Sequence, residues 1–180
     1  MDARRGVGID RARIRAAHLA RAEEWSRDPR PLTVRATVEV IEDHLKEARA
    51  GGFVIRSDEG PVVGGRGQAP TPLTYFVASI GFAILTDLVR AFAIHDVEVD
   101  RLGLTIEAEF PLEAKYGASS GPVAATAIRY DVAIDSRAPR PAIEAAVAWA
   151  ERYCHAVQTV RRPVTVVGRY RLAGEELAGF

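Results

Sequence analysis

The sequence predicts an α+β fold. Segments with period-two alternation arrive in neighbouring pairs, which favours antiparallel pairing over the strand–helix alternation of a parallel sheet. Between two such pairs, residues 73–86 form an uncharged stretch that is apolar on every side of a helical wheel. The chain has 180 residues, 48% hydrophobic and 27% charged, enough to bury a core without staples.

Residues 10–27 fit a helix with Asp10 as N-cap, and Ile14, Ala17 and Trp25 make only a weak apolar stripe. Such a helix is expected to lie on the body of the protein or on a partner chain. Asp28-Pro29-Arg30-Pro31 ends it. The expected organisation is an N-terminal helical extension over 1–30 and one domain over 31–180. Leu32, Val34, Ala36, Val38 and Val40 alternate with polar residues, so a strand with one buried face is predicted there. A second strand is expected at Phe53–Arg56, after the turn material Ala50-Gly51-Gly52, as its antiparallel partner.

A Gly- and Pro-rich loop over 57–72 leads into the long helix, with Pro72 in its first turn and its end near Ala93. The uncharged run is shorter than the roughly 20 residues a bilayer needs, and Asp87 and Arg90 close it. Burial in protein is therefore expected, with no membrane partner. Strands are predicted over 102–110 and 124–134. Pro139 and Pro141 open a helix whose residues Ile143, Val147, Ala150, Cys154 and Val157 recur at spacings of four and three. A last strand is expected at Val164–Tyr170. A small sheet covers only one side of a helix, so a helix apolar all round needs a second wall. A second copy of the chain is the simplest source, and a closely packed or intertwined homodimer is expected.

Formal net charge is zero, so no global field draws nucleic acid or an anionic surface. Apart from Lys46 and Lys115 every basic residue is arginine, but the arginines are scattered, which marks compositional bias rather than an anion site. Cys154 is the single cysteine, which excludes a disulfide within the chain and suits a reducing cytoplasm. Arginines at the N-terminus are not followed by the apolar core of a signal peptide. His18, His44, His95 and His155 lack metal-ligand spacing, so neither metal nor cofactor is expected. Gly64-Gly65-Arg66-Gly67 could cradle an anion but also suits a turn, and Asp58-Glu59 fits a turn or cap better than a general acid.

The stretch SDEGPVVGGRGQAPTPLTYFVASIGFAILTDL, residues 57–88, resembles the OsmC/Ohr family of small peroxidases: an acidic pair, Gly-Gly, a Pro-containing loop, then a helix with a small-residue segment, here Ala78-Ser79-Ile80-Gly81. Cys154-His155-Ala156-Val157-Gln158-Thr159-Val160 resembles its second signature, and the order of elements matches from Leu32 to Arg171. The resemblance implies an intertwined α+β homodimer with a central helix at the subunit interface. In active members a thiolate on that helix attacks an organic hydroperoxide, aided by a glutamate and an arginine, and a second cysteine resolves the sulfenic acid.

The departures bear on function. The alignment puts Ala83 at the reactive-cysteine position, Leu73 at the glutamate and His155 at the usual proline, and no residue is assigned to the arginine. With one cysteine, no register supplies a thiol on the central helix, and alanine is no nucleophile. The expected function is an OsmC-like protein that has lost two-cysteine peroxidase activity and keeps an apolar interface pocket for a small apolar molecule or hydroperoxide. Leu73, Tyr75, Ser79, Phe82, Ala83 and His155 are the candidate pocket residues. The alternative is a one-cysteine thiol peroxidase working through Cys154 with an external thiol reductant. His155 could activate that thiol, but residues adjacent on a helix point about 100° apart, and Cys154 lies on the apolar stripe as an inert core thiol would. A hydrolase built on Ser79 is the third reading, without a base at useful spacing.

Overall fold

A computed structural model describes residues 7–177; the first six and last three positions of the two expected segments lie outside the described residues. Helix α1 spans Arg11–Arg27, with Asp10 as N-cap accepting from the Arg13 amide at 2.9 Å. Strands β1 (Ala36–Glu42), β2 (Leu45–Ala50) and β3 (Phe53–Ser57) form an antiparallel sheet in that order. A short 3-10 turn, Pro61–Val63, precedes the long helix α2, Pro72–Ile94. Strands β4 (Arg101–Glu109) and β5 (Ala127–Asp135) pair antiparallel, from Arg101 opposite Asp135 to Glu109 opposite Ala127. Helices α3 (Arg140–Tyr153) and α4 (His155–Val160) follow, then a two-stranded ribbon of β6 (Arg171–Leu172) and β7 (Glu175–Glu176).

The core lies where one side of α2 meets the inner face of β4 and β5. Ile80, Ile84, Leu88 and Phe92 pack against half-buried Leu104, Ile106, Ile128 and Val132, and α3 and α4 close the core with Ala146, Ala150, Cys154 and Val157. Gly81 permits the closest approach: a β-carbon there would lie 3.1 Å from Leu104 Cδ2 and 3.3 Å from Ile106 Cγ2. The alternation predicted for β4 and β5 holds, because the exposed phase, including Thr105, Glu107, Arg129 and Asp131, faces away from α2.

Helix α1 has no buried residue, as its weak stripe implies. It is held largely by polar contacts: Arg15 Nε donates to the Ala93 carbonyl at 2.7 Å and its Nη2 to Asp96 Oδ1 at 3.0 Å. A cation at the end of α2 also complements that helix's dipole. His18 sets its ring edge-on to Trp149 of α3, 5.7 Å between centroids.

Four findings stand beside these expectations, the last three as corrections. First, within one chain α2 is buried on one side only, and the described residues of that chain supply no second wall. Its buried residues run from Ile80 to Ala93, whereas Leu73 is 40% exposed and Phe82 71% exposed. At 23 residues the helix has the length and composition of a membrane span, yet its second half is packed into the chain's own core. Second, β1 buries neither face, and it does not pair with β3; β2 lies between them. The strand Leu45–Ala50 was hidden in sequence by its charges, Lys46, Glu47 and Arg49. Third, the expected single helix breaks at Cys154 (φ −70°, ψ 109°), which ends α3 and caps α4. The stripe survives the break because α4 returns Val157 to the core. Fourth, residues 164–170 are exposed and form no strand ladder among the described residues; the backbone pairing starts only at Tyr170, whose carbonyl accepts from the Leu177 amide at 2.8 Å beside the β6–β7 ribbon.

Candidate functional site

An apolar cavity of about 170 Å³ lies within the chain, between α2, β5 and the α3–α4 break. Ile84 and Leu88 form its α2 wall, Tyr130, Val132 and Ile134 its β5 wall, and Ala150, Glu151 and Cys154 its third side. The β5 residues belong to the inward phase of that strand, so Tyr130 must bring its hydroxyl to an apolar place. A buried hydroxyl needs a partner. It donates to Glu151 Oε1, while Glu151 Oε2 accepts from Arg161 Nη2 at 3.1 Å. Gln158 Nε2 donates to the Glu151 carbonyl at 3.0 Å, holding α4 against α3. Burial first, and the Glu151 carboxylate second, push the Tyr130 hydroxyl up to about 12.

Cys154 is 1% exposed. Burial pushes its thiol above the ordinary value; the Val157 and Ala156 amides pull the other way, and the nearby Asp87 carboxylate raises it further. Asp87, buried on α2, is compensated by Arg90 Nη1 at 2.5 Å. A thiolate beside that carboxylate would place two negative charges in the core.

Of the candidate site residues only Cys154 lines this cavity, beside Val147, Ala150 and Val157 of the predicted stripe. Leu73 and Tyr75 stand on the open first turn of α2, where Tyr75 donates to the Arg56 carbonyl at 2.8 Å and ties the helix to β3. The Ser79 hydroxyl donates to the Phe76 carbonyl at 2.8 Å, so it is committed to its own helix. Phe82 faces outward, Ala83 is half-buried against the core, and His155 is exposed one residue beyond the thiol. The residues missed are Asp87, Tyr130, Glu151 and Arg161. Three of them carry a signal in hindsight: each is a polar group on a helix or strand face that is otherwise apolar.

The loop before α2 is organised by Asp58, which is 1% exposed. Its carboxylate accepts from the backbone amides of Glu59 (2.8 Å), Arg66 (3.1 Å) and Gln68 (3.0 Å). These amides, the Gln68 one foremost, hold the carboxyl below its usual range. The glycine run therefore cradles an anion, but the anion is the chain's own Asp58. Among the described residues no three His, Cys, Asp or Glu side chains converge as metal ligands would.

A family model described as OsmC-like protein matches residues 65–167. No curated protein matches the sequence significantly. Among solved structures, an OsmC-like protein from Mycoplasma pneumoniae is 14% identical with a TM-score of 0.63, covering 73% of this chain and 89% of that one. An OsmC-like hydroperoxide resistance protein from Jannaschia sp. CCS1 is 21% identical with a TM-score of 0.50, covering 80% and 96%. An organic hydroperoxide resistance protein OsmC from Legionella pneumophila is 16% identical with a TM-score of 0.51, covering 73% and 91%. At these identities the likeness is one of fold.

Proposed function

From the premise that this chain belongs to the OsmC-like protein family, we propose that it keeps the family's fold without two-cysteine peroxidase chemistry and binds a small, mostly apolar molecule. One observation carries the reading: the only thiol, Cys154, is buried against Asp87 with its pKa raised, and the central helix has Ala83 where the resemblance places the reactive cysteine. A peroxidatic cysteine needs an exposed, stabilised thiolate, and this environment opposes both.

The same reading includes a cytoplasmic homodimer. In support, Leu73, Phe76 and Phe82 on α2, together with Val38, Val40 and Phe53 on the β1–β3 sheet, are large apolar side chains left exposed by a single chain. A second copy seated on α2 would supply the missing wall and enclose the pocket expected around Leu73, Tyr75, Ser79, Phe82 and Ala83.

A second reading, a one-cysteine peroxidase, draws on the fact that Cys154 opens onto the internal cavity and receives the Val157 and Ala156 amides. A hydroperoxide entering there would oxidise the thiol to sulfenic acid and leave as an alcohol; an external dithiol would then reduce the sulfenic acid, releasing water. Hydroperoxide consumption by the native protein and by Cys154→Ser, with excess dithiol, separates the two. Equal rates are expected; a native rate well above that of the variant would overturn the first reading in favour of the second.

A further inference from the structure

The geometry points to the internal cavity as a ligand site in its own right, built for a small neutral apolar molecule with one hydrogen-bond donor, such as a phenol or a compact alcohol. This deepens the ligand-binding reading above and rests on it in treating Cys154 as wall rather than reagent. It differs in place: the ten residues that line this cavity all belong to one chain, and none is a candidate for the pocket expected around Leu73 and Phe82.

Size gives the first constraint. A dry apolar cavity of roughly 150 Å³ holds benzene, and the volume here is about 170 Å³. One six-membered ring with one small substituent therefore fills it.

Polarity gives the second. Tyr130 spends its proton on Glu151, and Glu151 spends its other oxygen on Arg161. The chain Arg161–Glu151–Tyr130 is thus ordered in one direction and leaves acceptor capacity on the phenolic oxygen. A ligand O–H or N–H satisfies that acceptor, whereas a ketone or ether offers it nothing. An anion would meet the carboxylate of Glu151, the one charged group in the lining and already paired with Arg161, so no cation there receives it.

Access gives the third. An open groove of about 480 Å³ runs past Phe76, Ile80, Val160 and Arg161, and shares Tyr130 and Val157 with the cavity. The groove therefore borders the cavity along Tyr130 and Val157.

Phenol and toluene, nearly equal in volume, are the probes. Each is titrated into the full-length protein and into Tyr130→Phe, and affinities are read from NMR shift changes. The variant loses one oxygen and no carbon, so the cavity walls stay. The ratio of phenol to toluene affinity is expected to fall by about fivefold to tenfold in Tyr130→Phe. An unchanged ratio, or no saturable binding of either probe by the native protein, overturns the proposal. Val147→Phe, which fills the cavity from α3, is expected to abolish binding of both; unaltered binding would place the probes elsewhere and also overturn it. Should that variant fail to fold, the Tyr130→Phe ratio decides alone. Hydroperoxide turnover is measured separately, so failure of the ligand site and failure of the lost-peroxidase reading show up in different experiments.

Discussion

The thiol of Cys154, at the break between α3 and α4, faces the carboxylate of Asp87 on α2. That pairing joins the chain's only cysteine to the only acid on its central helix. It sets the chemistry of the thiol more firmly than the neighbouring His155, which is exposed. Alkylation of the folded protein by iodoacetamide should stay slow near neutral pH and accelerate only above the ordinary thiol range of about 8.5. Asp87→Asn removes the charge and should raise the rate at fixed pH by about threefold to tenfold. A rate unaffected by Asp87→Asn would show burial alone to be the cause.

The sign of the pH effect follows from the same shift. Because the folded thiol titrates above the unfolded one, its contribution to stability is complete below about 8.5 and declines as pH rises through the folded value. Asp58 behaves in the opposite way. Its folded pKa is lowered by the amides of Gln68, Glu59 and Arg66, so its contribution is complete above about 4 and is lost as pH falls through the folded value. Asp58→Asn should lower the melting temperature at pH 7 and flatten its fall between pH 5 and 2; thermal scans across that range check both.

Gly65 sits where no side chain fits. A β-carbon there would lie 1.9 Å from the Glu59 carbonyl oxygen, a backbone atom that cannot swing away. Gly65→Ala should destabilise by about 3 kcal/mol through the loop that feeds α2, measured by urea unfolding. A cost below about 1 kcal/mol would mean that the loop relaxes around the methyl group.

Phe82 tests the proposed homodimer. It is 71% exposed on α2 within one chain. Phe82→Glu should leave the helical signal by circular dichroism intact and shift the protein from dimer to monomer in sedimentation. A native protein that already sediments as a monomer would remove the homodimer from the proposed function.

Much of the fold was legible because it depends on local pattern. The period-two segments of β4 and β5, the Asp10 cap of α1 and the apolar stripe through Ile143, Val147, Ala150 and Val157 are properties of consecutive residues, and each emerges close to its expected place. Strand β2 was not legible, since its charged residues mask an alternation that only pairing with β1 and β3 makes meaningful. The break at Cys154 was hidden for a related reason: α4 restores the same stripe after the turn.

The sequence by itself determined the α+β class, the uncharged helix and the impossibility of a two-cysteine cycle within this chain, because one cysteine is a count that no conformation alters. Only the tertiary structure decided where Cys154 points and what meets it. Asp87, Tyr130 and Glu151 come from three elements, α2, β5 and α3, and Arg161 from just beyond α4. They converge because each apolar face must bury itself against another, and a polar group carried on such a face must then find its partner inside. No spacing along the chain encodes that meeting; packing does.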